Sequence, residues 1–222
     1  MDWFWEIVRK LFRKSFRDSH SYWVRRYRLR GHSGAGSQGK SAAYKARFVN
    51  DLIARNQVTS VIDLGCGDGQ NAALLLAPNY LGLDISDRAL ALAMDRCTGQ
   101  GKQFAVVGTI DPAPVDLVLS MDVVYHLIED DVFDRYLRHL ARLALRYVVI
   151  YGTDCPRNRV APHVFHRPVA ERFIALNGGW RLRDRVPNNE LYGADWPQHP
   201  HFMVFEKSAI SADAAPVDTS RA

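Results

Sequence analysis

Residues 58–69 read VTSVIDLGCGDG: an apolar run, an acid, then three glycines at alternate positions, Gly65, Gly67 and Gly69. A short apolar run bounded by turn residues has the pattern of a strand buried on both faces. Glycine permits backbone angles that other residues avoid and lets a ligand approach bare main chain. A helix that starts just after such a turn offers unpaired N–H groups. Strand, glycine turn and helix in that order commit the segment to an α/β fold, with a ligand beyond the carboxyl ends of the strands. A second acid, Asp84, closes the next apolar run. It comes about 20 residues after the turn, where an acid can accept from ribose hydroxyls. Turn and acids together point to a nucleoside cofactor.

The rest of the chain continues the alternation. Strands are predicted over 58–64, 80–84, 104–107, 115–121, 147–151, 180–186 and 202–206, and helices over 41–55, 70–76, 86–96, 129–145 and 168–176. Ser86 and Asp87 cap the helix over 86–96. Glu129, Asp130 and Asp131 fall in the first turn of the helix over 129–145, where acids suit the helix dipole better than a metal cluster. The fold class is α/β, a doubly wound sheet with helices on both faces. The expected organisation is a main domain over 21–207, a basic helix within 1–20, and a small polar tail over 208–222 that is disordered.

The chain of 222 residues is 47% hydrophobic and 24% charged, the balance of a soluble globular protein. It has no apolar run long enough to cross a bilayer, and its N-terminus lacks the apolar core of a secretion signal. Cys66, Cys97 and Cys155 show no metal-ligand spacing, and read as free thiols in a reducing, cytoplasmic compartment. The net charge of +5 is local, since residues 1–30 hold nine bases against three acids and the remainder is nearly balanced. A nucleic-acid enzyme more often spreads base over its active-site face, so no nucleic-acid partner is expected. Over residues 2–16, Trp3, Phe4, Ile7, Val8, Leu11 and Phe12 share one helical side, opposite Arg9, Lys10, Arg13, Lys14 and Arg17. Such a helix either packs on the domain or a partner, or makes peripheral contact with an anionic membrane.

The dinucleotide pattern G-x-G-x-x-G requires glycine at position 70, which is Gln70. The sequence resembles instead the class I S-adenosylmethionine-dependent methyltransferases, through VIDLGCGDG at 61–69, LGLDIS at 81–86 and DLVLSMDVVYHL at 116–127. The resemblance implies a Rossmann-like, seven-stranded, mostly parallel sheet whose last strand runs antiparallel. It implies S-adenosylmethionine as cofactor, with Asp63, Gly65, Cys66 and Gly67 along its methionine part, Asp84 at the ribose and Ile85 beside the adenine. By the same likeness, a backbone N–H near Thr109 or Ile110 meets the adenine edge, and Asp122 contacts the cofactor or orients the acceptor. The chain is also similar to bacterial methyltransferases that share YW-x-x-RY (Tyr22, Trp23, Arg26, Tyr27) and SGAGSQG at 33–39. Those are often associated with glycan tailoring. A glycine/serine loop opening a helix is either a linker or a holder of an anionic group.

Methyl transfer from a sulfonium is an in-line displacement, and the protein mainly supplies alignment. A hydroxyl nucleophile also gains from a base. His126 is the first candidate, because imidazole titrates near neutrality. Tyr125 is a substrate-side candidate or a core residue. Pro162-His-Val-Phe-His-Arg167 reads as an acceptor wall. There His163 is a second candidate base, His166 a hydroxyl partner, and Arg167 a clamp for phosphate or carboxylate. Tyr192, Trp196, His199 and His201 suit either a sugar face or a lid. No metal site is expected. The chain lacks the D/N-P-P-Y/F turn of enzymes that methylate nucleobase or amide nitrogen, which disfavours that chemistry, and the resemblance to glycan-associated methyltransferases implies O-methylation of a sugar or glycan intermediate. The alternatives are another small metabolite as acceptor, or an accessory protein that binds the cofactor without catalysis.

Overall fold

The computed structural model describes residues 16–30, 32–193 and 199–208. The basic helix expected over 2–16 lies outside them apart from Phe16, as do Trp196 and nearly all of the polar tail. Nine strands are present among the described residues: β1 (Ser60–Leu64), β2 (Asn79–Asp84), β3 (Gln103–Val106), β4 (Val115–Met121), β5 (Ala144–Gly152), β6 (Asn158–Ala161), β7 (Val164–His166), β8 (Trp180–Pro187) and β9 (His201–Lys207). The helices are α1 (Ser19–Arg30), α2 (Gly39–Arg55), α3 (Asp87–Arg96), α4 (Asp130–Leu143), α5 (Val169–Leu176) and α6 (Asn189–Tyr192).

Seven strands form one sheet in the order β3-β2-β1-β4-β5-β9-β8. The pairs from β3 through β5 are parallel. The last strand, β9, runs antiparallel to both β5 and β8. Period-two alternation fills both faces. On one face, Ile62, Val118, Val148, Ile150 and Phe205 pack with Phe133, Leu137 and Leu140 of α4 and Phe173 of α5. On the other, Val61, Leu117, Leu119, Val149 and Val204 pack with Val49, Leu52 and Ile53 of α2. A strand buried on both faces must be apolar throughout, which is why β1, β4 and β5 were visible as short apolar runs.

Three expectations change. The helix over 70–76 is only a 3-10 turn at Ala72–Leu74. The chain must extend at once to reach β2, and Lys102 Nζ takes the freed carbonyls of Ala72 and Leu75 at 2.6 and 3.0 Å. Residues 158–166 form a hairpin of β6 and β7 that the sequence pattern did not show, because its two short strands are largely polar or half-exposed. Glu129 stands just before α4, and its carboxylate accepts from the backbone N–H and hydroxyl of Ser19 at 3.0 and 2.7 Å. It is a tie between distant segments more than a helix-dipole partner.

Candidate active site

The strand order reverses at β1, which lies between β2 and β4, and a ligand crevice forms beyond such a switch point. There a cavity of about 470 Å³ opens between the ends of β1, β2 and β4 and is roofed by α1. Its floor is the glycine turn. Gly65 has φ +87°, and a Cβ there would lie 2.5 Å from Val123. Gly67 has φ +59°, and a Cβ there would meet Ser33 Oγ at 2.5 Å and the Tyr27 hydroxyl at 2.6 Å. Only glycine lets the main chain adopt these angles at such close approach.

Asp84 ends β2 on the cavity wall, with one carboxylate oxygen accepting from the Gly67 N–H and the other from the Ser86 N–H, both at 2.9 Å. Burial pushes its pKa up to about 6 against those backbone hydrogen bonds. Its remaining lone pairs suit a pair of ribose hydroxyls. Ile85 and Val107 supply an apolar wall next to it, fit for a flat base. Asp63 lies under the turn, 1% exposed, with one oxygen accepting from Tyr80 at 2.9 Å. Its other oxygen has no partner, nor has the Asn71 side-chain oxygen on the cavity wall. Burial raises the Asp63 pKa to about 7. On the cavity wall, the unpartnered Asn71 oxygen beside a bare glycine cradle fits a ligand that carries a cationic ammonium group.

The roof is tied down at both ends. The Ser33 hydroxyl donates to Asp68 at 2.5 Å, and Tyr27 of α1 donates to the same Ser33 oxygen at 2.9 Å. The start of α1 is held by Ser19, which bonds to Glu129 and accepts from the Ile128 N–H at 2.9 Å. None of Tyr27, Ser33, Asp68 and Ser19 stood out in the sequence as a structural tie.

The far end of the cavity lies beyond β4. Asp122 sits at φ +61°, a left-handed conformation that Asp tolerates better than most residues. Its carboxylate receives the Lys45 ammonium at 2.5 Å and the Tyr125 hydroxyl at 2.7 Å. Lys45 is fully buried in α2, and no motif had marked it. His126 lines the cavity, with its ring edge-on to Trp23 at 4.7 Å. Its Nδ1 lies 2.8 Å from the His163 carbonyl. A carbonyl can only accept, so Nδ1 carries the proton and Nε2 keeps a lone pair. Burial drives the His126 pKa down to about 4, so the ring is neutral at ordinary pH. His163 is stacked on Tyr22 at 4.6 Å and on His126 at 5.7 Å.

The expected site residues therefore separate. Gly65, Cys66, Asp84, Ile85, Asp122, Tyr125, His126 and His163 line the cavity. Asp63, near the end of β1, lies beneath the turn, and Gly67 is part of the turn that forms the floor. Thr109 and Ile110 do not reach the cavity. The Thr109 N–H is spent on Val106 O at 3.1 Å, and Val107 is the residue of this segment on the wall. His166 is turned aside to the Thr153 hydroxyl at 2.6 Å. Arg167 is not a clamp for a ligand. It is 3% exposed, and it donates to Asp130 and to the carbonyls of Leu127 and Ile128, with its guanidinium over Phe165 and Phe133. Among the described residues no group of His, Cys, Asp and Glu could hold a metal ion. Nor is any described helix long and apolar enough to cross a membrane.

Residues 62–146 match the family described as a methyltransferase domain. The chain is 36% identical over 92 residues to the trans-aconitate 2-methyltransferase of Methylobacterium nodulans, a match spanning 38% of this chain and only 36% of that relative. Among solved structures, the magnesium protoporphyrin IX methyltransferase of Synechocystis PCC 6803, with bound S-adenosylmethionine, superimposes with a TM-score of 0.65 at 15% identity. The alignment covers 86% of this chain and 98% of that one. An amino pentose methyltransferase from Micromonospora echinaspora superimposes with a TM-score of 0.61 at 18% identity, covering 78% and 94%. The three relatives are named for different acceptors, so likeness alone does not choose one for this chain. Strand order, glycine turn and the matched segment from β1 into β5 give this chain the Rossmann-like methyltransferase fold.

Proposed function

We propose that the protein is an S-adenosylmethionine-dependent methyltransferase that methylates a hydroxyl oxygen of a small-molecule acceptor, a sugar or glycan intermediate, with His126 as the proton acceptor. The donor reading is supported by the glycine cradle, the pre-positioned Asp84 carboxylate and the unpartnered Asn71 oxygen on the cavity wall. Gly65, Cys66, Asp84 and Ile85 would hold the donor, which supplies a methyl group activated by its positive sulfur. The rest of the work is alignment and proton removal by the chain's own groups.

The observation that carries the oxygen chemistry is the fixed tautomer of His126. Its Nδ1–H is committed to the His163 carbonyl, which leaves Nε2 as an unprotonated acceptor on the cavity wall. Nε2 would take the proton of the acceptor hydroxyl as that oxygen gains the methyl group, the electron pair of the donor's carbon–sulfur bond being left with the donor. Asp122 and Tyr125, locked by Lys45, shape the wall beside that position.

Calorimetry with S-adenosylmethionine, followed by a screen with methyl-labelled donor against hydroxylated acceptors and extracted glycans, tests the reading. Donor binding is expected, together with transfer that His126→Gln lowers on the order of 100-fold in kcat. Binding without turnover on any acceptor would favour the accessory role. Absence of donor binding would remove the whole class.

A further inference from the structure

The acids on the cavity wall are answered, and its arginine is not. Asp84 is met by two backbone N–H groups, and Asp122 by Lys45 and Tyr125. Arg26, on the cavity side of α1, has no carboxylate partner among the described residues. One of its terminal nitrogens reaches the Tyr22 hydroxyl at 3.3 Å, and its Nε is buried with no acceptor. The guanidinium lies 5.2 Å from the centre of the Trp23 ring, and its other terminal nitrogen sits beside Gly34. A buried arginine N–H without an acceptor is unfavourable unless something else supplies one. The planar fork suits a carboxylate or a phosphate.

The position of Arg26 assigns that anion to the acceptor. Arg26 and His126 rest against the same indole, that of Trp23. After the effect of burial, the charge of Arg26 further lowers the pKa of His163, and it is the last of the causes acting on His126. We propose that Arg26 is the anion-binding residue of the acceptor subsite, and that the acceptor is a small hydroxylated molecule bearing a carboxylate or phosphate a few bonds from the methylated oxygen. The proposal rests on the methyltransferase reading above and narrows its acceptor class.

The test uses matched sugars: glucose, glucuronate and glucose 6-phosphate, with the corresponding galactose and mannose sets. Binding is measured by calorimetry on the full chain loaded with S-adenosylhomocysteine, and turnover with labelled S-adenosylmethionine. At least one charged member is expected to bind and react about tenfold or more better than its neutral counterpart. Comparing the acid with the phosphate distinguishes the two anion sources. Arg26→Gln should abolish the preference, chiefly through KM, and leave the affinity for S-adenosylhomocysteine within about twofold. Arg26→Lys should keep part of the preference, which controls for a folding defect. Equal binding of charged and neutral members, or no binding of any charged member at millimolar concentration, would overturn the proposal. So would an Arg26→Gln variant that loses S-adenosylhomocysteine and keeps the preference, since that places the arginine on the donor. Failure of the wild-type chain to bind S-adenosylhomocysteine would instead strike the methyltransferase reading.

Discussion

The two ends of the cavity are built by different means. At the donor end, the groups come from residues 63–71 and 84–85, at the tips of two neighbouring parallel strands, and Asp84 is held by backbone N–H groups. At the end proposed for the acceptor, side chains meet side chains from α1, α2, the β4 exit and the β6–β7 hairpin. Main chain cannot be substituted away, so the first end tolerates change at most positions except its glycines and its acid. The second end is a mosaic in which each tile is replaceable. One scaffold can in this way keep one donor while acceptors change.

Four measurements would break or sharpen that contrast. The largest effect is expected from Lys45→Met, which strands Asp122 without its ammonium. Loss of about 3–5 kcal/mol in urea unfolding is expected, as when one partner of a buried ion pair is removed. Adding Asp122→Asn should restore much of it, and a single-variant loss below about 1 kcal/mol would mean the pair is only a surface contact. Next, Asp84→Ala should weaken S-adenosylmethionine binding about 100-fold by calorimetry, since it removes two charge-assisted hydrogen bonds. An unchanged affinity would show that the glycine turn alone defines the donor end.

Ser33→Ala cuts the tie between Tyr27 and Asp68. It should lower stability by about 1–2 kcal/mol and donor affinity by about tenfold, and an effect on neither would detach the roof from donor binding. The smallest effects are in pH. Asp84 is ionised above about 6, so donor affinity should rise as pH increases through that value and level off above it. His126 is neutral above about 4, so with S-adenosylmethionine saturating at every pH, kcat should stay flat through neutrality and fall only near that value. A fall centred on the ordinary histidine value would show that a histidine other than His126 is the base.

The same contrast explains what could be read from the sequence. The sheet and the donor end rest on contiguous signals: apolar runs, a glycine turn and an acid one strand later. The mosaic rests on contacts far apart in sequence, and no local pattern encodes them. Lys45 lies in an amphipathic helix where a lysine normally faces water, yet it is fully buried because Asp122, 77 residues later, waits for it. Arg167 misled in the opposite way. Its neighbours in sequence are histidines, but its partners are Asp130 and the carbonyls before α4, so a residue that reads as a clamp is a brace. His126 was legible as a candidate because it follows the β4 motif. Its fixed tautomer was not, since that depends on a carbonyl in the unforeseen hairpin turn.

The roof of the cavity carries a further consequence for how such a protein diversifies. A single twelve-residue helix spans both compartments, with Ser19 pinned at one end and Tyr27 near the other. A rod held this way acts as a lever. A smaller side chain at Trp23 that lets the helix settle toward His126 should also pull on Ser33, which sits against Gly67. On the proposed assignment of the two ends, retuning acceptor preference through this helix should also change donor affinity. Variants that alter acceptor choice cleanly are to be sought in the hairpin around His163, which lines the proposed acceptor end without roofing the glycine turn.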